Sequence, residues 1–433
     1  MISSNLIHSL LKRADVQKGN TISFKPGQVF QAKVLKLFPN NVASVQAGTV
    51  RFVAHLETAL QSYKSYWFRV QSTKDQIHIK VLNEIDGNNA KGDIKNSEAV
   101  RQLLSQFSLP QTNRNIELIQ KLITENIPLS KDLVAKALQF LKPSDLSNGL
   151  NALKTIVNKD LPVTREIFNA MLTAQTEIPL SADLTKLYET LSNTQLHSES
   201  VGKLKQQIAN IIEISSHSET WNSGEEITRT LKQIISSLGL QLERNVATLG
   251  NKTPSMQDIE RFETLKPLLL KVLQELNDPS IKSAVETVAN RLTGQQLLSV
   301  DHNQIQQLIL QIPIYIGNKL TDLTMQWTGK KGRKDEFDPN HCRILFYLEL
   351  ENIKDTIIDV QIQNRVTNII VINDAPELER IITFMKPALI ESLNKLQYKL
   401  SSIKVVHPDE KKELPATCSK SLQSGYDGVD LRI

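Results

Sequence analysis

The feature that most constrains this chain is a change of hydrophobic period, which occurs twice. Residues 28–82 alternate on a two-residue period, residues 97–300 follow a period of three to four, and from about 304 the alternation returns. A β–α–β order of this kind is incompatible with one continuous layer. It predicts a multidomain α+β chain. At 433 residues the chain is also too long for one ordinary domain.

The first β region reads as five short strands, in GQVFQAKVLKLF, VASVQAG, TVRFVAHL, SYWFRVQS and QIHIKVLN. Each is bounded by Gly, Asn, Pro or Ser, and Pro39-Asn40-Asn41 supplies a turn. Five such strands suggest a small closed barrel, since closure removes exposed edges. The expected first domain covers 1–83 and includes an amphipathic N-terminal helix. It carries eleven Lys and Arg against Asp15, Glu57 and Asp75 within residues 1–80, so the excess of +5 for the whole chain is more than supplied here.

Residues 84–97 are polar and rich in Gly and Asn, and read as a linker. The region 98–300 reads as all-α, built of short helices. An apolar residue, Pro, any residue, then Ser or Thr recurs at Pro110, Pro128, Pro162 and Pro179, ending at Thr112, Ser130, Thr164 and Ser181. The proline stops one helix and the hydroxyl caps the next. The spacings fit either a repeat near 17 residues or recurring helix-start chemistry.

The last region, 304–406, reads as an α+β domain with an antiparallel or mixed sheet and one long helix; 407–433 reads as a loose tail. Asp374-Ala375-Pro376-Glu377 predicts a helix start with Asp374 as cap. The helix is expected to bury Leu378, Ile381, Ile382, Met385, Leu389, Leu393, Leu396 and Leu400 as one stripe, with a kink at Pro387.

In this block Leu348, Leu350, Ile353, Thr356, Ile358 and Val360, then VTNIIVI, the helix PELERIITFMKPALIESLNKLQYKL and SSIKVV, follow in the order of a known pattern. Over about 340–406 the chain resembles the C-terminal domain of flagellar hook-length control proteins, and the layout looks like a Gram-positive-type relative. Lys354 stands where that family has glycine and Leu350 where it often has proline, so the turn after Ile353 is expected to be made differently. The resemblance implies a non-enzymatic accessory of type III export, whose C-terminal domain binds the cytoplasmic domain of an export-gate protein and switches export specificity. The expected contact residues are Glu379, Arg380, Glu391, Lys395 and Lys399 on the polar side of the helix, with Asn352, Ile353 and Lys354 at the strand turn.

No catalytic or metal-ligand spacing is visible. The eight histidines are scattered, no G-x-S-x-G, P-loop or G-x-G-x-x-G occurs, and Cys342 and Cys418 read as reduced thiols. His341 and Cys342 are adjacent strand residues on opposite faces, which excludes a nucleophile pair. No cofactor and no small-molecule substrate is implied, and no apolar run is long enough for membrane insertion. A cytoplasmic location follows, with export through a type III pathway without a cleaved signal left open. One rival partner is nucleic acid, through the barrel of residues 1–83, where Lys33, Lys36, Arg51, Lys64 and Arg69 accompany Phe52, Tyr63, Tyr66, Trp67 and Phe68. The other reading of those aromatics is barrel core. A third reading makes the helical region a scaffold for partner helices.

Overall fold

The computed structural model describes residues 24–85, 97–216, 224–242, 263–299, 305–331 and 337–408, apart from a few turn positions within these spans. The chain is a multidomain α+β protein with a closed five-stranded barrel, a helical region, and a C-terminal mixed sheet with a helix. Its described residues divide into two compact units, one within residues 7–175 and one within residues 176–433. The expected N-terminal helix and the tail beyond residue 408 lie outside the described residues.

In the first unit, β1 (Val29–Phe38), β2 (Val42–Ala47), β3 (Val50–Leu56), β4 (Ser65–Ser72) and β5 (Ile77–Ile85) close in the order β1-β2-β3-β5-β4. All neighbours run antiparallel except β3 and β5. The inward set is Phe30, Ala32, Val34, Ala43, Val45, Ala54, Tyr66, Phe68, Val70 and Ile79, together with Phe24. Small residues on β2, Ala43 and Ala47, share this core with aromatic ones on β1 and β4, Phe30, Tyr66 and Phe68. Asn40 and Asn41, both at positive φ, make the β1–β2 turn.

Five helices follow in the same unit: α1 (Ser97–Gln106), α2 (Asn113–Thr124), α3 (Lys131–Phe140), α4 (Leu146–Asn158) and α5 (Arg165–Ala174). The hydroxyl caps at Thr112, Ser130 and Thr164 form as expected, each accepting from the backbone N–H three residues on. The barrel is tied to this bundle by backbone. Val29 and Leu129 exchange N–H···O bonds of 2.7 Å in both directions, and Gly48 at φ +58° lies against the side chain of Asn126.

In the second unit, α6 (Leu180–Ser192), α7 (Glu199–Ser216), α8 (Gly224–Leu238), α9 (Leu265–Glu275) and α10 (Pro279–Leu298) share one core with the sheet residues Leu310, Ile312 and Ile314. The sheet order is β11-β10-β9-β8-β7-β6, with β6 (Ile305–Ile316), β7 (Lys319–Lys331), β8 (Phe337–Leu350), β9 (Lys354–Gln363), β10 (Val366–Ile372) and β11 (Lys399–Val406). Only the β10–β11 pair is parallel. The edge of β6 is masked by side chains. Ser299 Oγ bonds both N and O of Ile309, Gln295 accepts from Gln311 N, and Ser215 donates to Pro313 O. Pro313 has no N–H to leave unpaired, so the strand offers little template for edge pairing.

Two expectations about helix starts are corrected here. Ser181 does not cap α6; the carboxylate of Asp322 on β7 does, accepting from Leu180 N and, at 3.0 Å, from Ser181 N. Burial pushes the Asp322 carboxyl above its ordinary pKa, against the pull of those two N–H groups. Nor does Asp374 cap the last helix, α11 (Leu378–Lys395). Asn373, almost fully buried, accepts from Ala375 N, while its amide donates to Ile353 O, Asp355 O and Thr356 Oγ1.

The stripe expected on α11 is also corrected. Leu378 is buried, and Ile382, Leu389 and, from β11, Leu400 pack against Ile358, Val360, Ile369 and Val371. Ile381, Met385 and Leu396 are 50%, 54% and 66% exposed, and Phe384 is 83% exposed. The helix lies over only the β9–β11 end of the sheet, which accommodates one row of side chains and leaves the next row in solvent. The helix runs through Pro387 without interruption. Among the described residues, no helix is long and apolar enough to cross a membrane.

Candidate nucleic-acid interface

Strand register places the outward side chains of the barrel in rows. Lys33 of β1 stands opposite Gln46 of β2, which stands opposite Arg51 of β3. The next row is Lys36, Ser44 and Val53; the last is Phe38, Val42, His55 and, across the parallel pair, His78 of β5. These rows depend on a bulge. The β1 register shifts between Val34 and Lys36, so Leu35 is the extra residue and the alternation is reset. Without it Lys36 and Phe38 would point into the barrel.

The face so formed is cationic, with apolar and aromatic surface between the charges. Lys33, Lys36 and Arg51 are exposed and have no acidic partner among the described residues. Lys36 Nζ sits 5.3 Å from the centroid of the Phe38 ring, which is 41% exposed. Val53 is 58% exposed in the centre. His55 and His78 stack with centroids 5.1 Å apart and planes 14° from parallel. No carboxylate occupies any of the three rows. Glu57, at the rim, is engaged by Lys80 at 3.5 Å and by Gln71.

The aromatics singled out in the sequence do not gather on this face. Tyr66 and Phe68 are core, and Phe52 packs half-buried against Phe24 and Phe30. Trp67 pairs with Gln31 on the β1–β4 side and lines a small cleft of about 20 Å³ with Asn126 and Pro128, space for one water. Tyr63 is exposed in the segment before β4, and Arg69 donates to Gln106 at 2.7 Å. Of the cations named, Lys33, Lys36 and Arg51 come together. Phe38, His55 and His78 were missed because the bulge and the parallel β3–β5 pairing leave no mark in the sequence.

The residues expected to contact a protein partner are all in the second unit. Arg380 pairs with Glu377 at 3.4 Å, and Glu391 with Lys395 at 2.9 Å, all four strongly exposed. Glu379 is exposed on α11, whereas Lys399 begins β11. Asn352 and Ile353 sit in the β8–β9 turn, which Asn373 holds from behind, with Lys354 as the first residue of β9. Lys354 takes φ +56°, the left-handed conformation that favours glycine, and donates to Glu351 O.

Cys342 is buried and desolvation pushes its thiol above the ordinary value, which opposes reactivity. Among the described residues, no group of three His, Cys, Asp or Glu is arranged to hold a metal ion.

Comparison with known proteins gives two matches. The profile of the TP0910 S1-like domain matches residues 6–80, a span that takes in most of the barrel. Uncharacterized protein YlqG of Bacillus subtilis (strain 168) is 33% identical over 145 residues, which is 33% of this chain and 25% of that protein. The chain thus aligns with about a quarter of the length of that relative. No solved structure matches.

Proposed function

We propose that the first unit binds single-stranded nucleic acid across the outer face of β1, β2, β3 and β5. The observation that carries this reading is the set of three in-register rows, which bring Lys33, Lys36 and Arg51 beside Phe38, Val53, His55 and His78 with no carboxylate among them. Five-stranded barrels of the oligonucleotide- and oligosaccharide-binding class use the face of their second and third strands. The cations favour the polyanion over a sugar. A strand of unpaired bases fits such a surface, because phosphates track the charges while bases stack on rings. The similarity to an S1-like domain supports the fold side of this analogy; the site rests on the residues.

The test is equilibrium binding of the full chain to a labelled single-stranded oligonucleotide at several salt concentrations. Three to four neutralised phosphates predict a slope of log K against log salt of about −2 to −3 for a single strand. Absence of binding at low salt, or a slope near zero, would exclude the reading.

A second reading concerns the second unit and is favoured by the exposed row Ile381, Phe384 and Met385 on α11. Its spacing of three and four is that of an apolar face offered to a partner. We read this face, with the neighbouring pairs Arg380–Glu377 and Glu391–Lys395, as the contact for a cytoplasmic domain of a flagellar-type export gate, the partner implied by the hook-length-control resemblance. The exposed ion pairs add little energy, so the rings and methyls would supply the affinity. Calorimetry of the full chain against that domain should give micromolar binding, and Phe384→Ser should weaken it about 30-fold. A flat titration with the folded chain would refute this reading and leave the first intact.

A further inference from the structure

The stacked histidines in the proposed nucleic-acid face have a use that its lysines and arginine do not explain. His55 on β3 and His78 on β5 lie directly across the barrel's parallel pair, their rings stacked 5.1 Å apart and nearly parallel. His78 is exposed and His55 half-buried, so both reach the surface. We infer that this pair is a proton-linked anion contact: a backbone phosphate lying across the two rings draws protons onto them, and binding tightens as pH falls. This rests on the reading of the face as a nucleic-acid interface and adds its regulation.

Imidazole is the ordinary side chain whose charge changes between pH 5 and 8. Two imidazolium rings in a stack repel each other, and an anion lying across both offsets that repulsion. The charged groups around the pair are nearly all positive. On β3 the next outward residue but one is Arg51; on β1 the residue in the histidine row is Phe38, with Lys36 and Lys33 in the next two rows; and on β5 Lys80 follows two residues after His78. Arg69 on β4 pairs in register with Lys80. Strand β2 contributes no titratable group to the rows, only Val42, Ser44 and Gln46. Glu57, two residues on from His55, is occupied by Lys80 and Gln71. Lys74 and Asp75, between β4 and β5 in the sequence, lie outside the described residues. In this setting a bound phosphate supplies the compensating negative charge. Binding and protonation therefore favour each other, and by reciprocity each proton taken up changes the binding constant about tenfold per pH unit.

The experiment is anisotropy of the full chain with a fluorescein-labelled single-stranded oligonucleotide from pH 5.5 to 8.0 at constant ionic strength. It is repeated with His55→Gln, His78→Gln and the double variant, each checked by circular dichroism. The wild-type chain should bind at least about tenfold more tightly at pH 5.5 than at 7.5, and the double variant should bind with little pH dependence across the same range. Binding that does not vary with pH in the wild type would overturn the inference and leave the interface standing. A pH dependence that survives in the double variant would overturn it too. No binding at any pH would remove both. Should the variants fail to fold, proton NMR of the wild-type chain decides: the two imidazoles must titrate at higher pH with oligonucleotide bound, and unchanged titration refutes the link.

Discussion

Arg291→Ala is expected to destabilise the unit of residues 176–433 by about 3–5 kcal/mol. The Arg291 side chain on α10 is 1% exposed. Its Nη1 donates to Asp183 Oδ2 at 2.6 Å and to Thr176 Oγ1 at 3.1 Å, its Nε to Gln311 Oε1 at 3.2 Å, and its Nη2 to Ile178 O. One guanidinium thus joins α6, the segment before it, α10 and β6. Alanine would leave the carboxylate of Asp183 buried without its cation. Burial already holds that carboxyl above its ordinary pKa, with Arg291 pulling the other way.

The sign of the pH dependence follows. With Arg291 gone the folded-state pKa of Asp183 rises further above its unfolded value. Folding then favours the protonated acid, and stability falls as pH rises from the unfolded value near 4 toward the folded one. Urea denaturation of Arg291→Ala should therefore show its deficit at pH 7 and a smaller one near pH 4, measured against wild type at each pH. A hydrophobic pair, Arg291→Met with Asp183→Leu, should recover much of the loss, because neither charge is then left buried alone. A deficit under about 1 kcal/mol for the single substitution would show that water reaches the carboxylate and that this network carries little.

The second large effect is on binding. Lys33→Glu, Lys36→Glu and Arg51→Glu together should weaken the single-stranded oligonucleotide at least about a hundredfold, since three attractions to phosphate become repulsions. All three side chains are exposed at strand positions whose inward neighbours fill the core, so the barrel should fold unchanged. The matched control reverses Lys203, Lys271 and Lys282, three cations of the second unit, and should leave binding within about twofold if the contact is local. Equal losses in both would reduce the interaction to net charge.

How much of this was legible in the sequence depends on the range of the contacts. The barrel strands and the capped helices follow from alternation and from Thr112, Ser130 and Thr164, because those signals act within three or four residues. The cap on α6 comes from Asp322, 141 residues beyond Ser181, and no local pattern could report it. The β1 face was illegible for a different reason. Strict alternation assigns Lys36 and Phe38 inward, and only the bulge at Leu35 turns them out to join Lys33. Helix α11 reversed the expectation because its period is right but its support is narrow: a stripe on a helix predicts burial only as far as a partner surface extends. Phe384, exposed beside Ile381 and Met385, could not be told from core by spacing alone.

The central claim is that the β1–β2–β3–β5 face receives the nucleic acid, and ultraviolet crosslinking of the full chain to a single-stranded oligonucleotide, read by peptide mass spectrometry, tests it most directly. The account predicts crosslinks at Phe38 and His78 and in the peptides around Lys33 and Arg51. Crosslinks confined to Trp67 and Tyr63, or to the second unit, would contradict it.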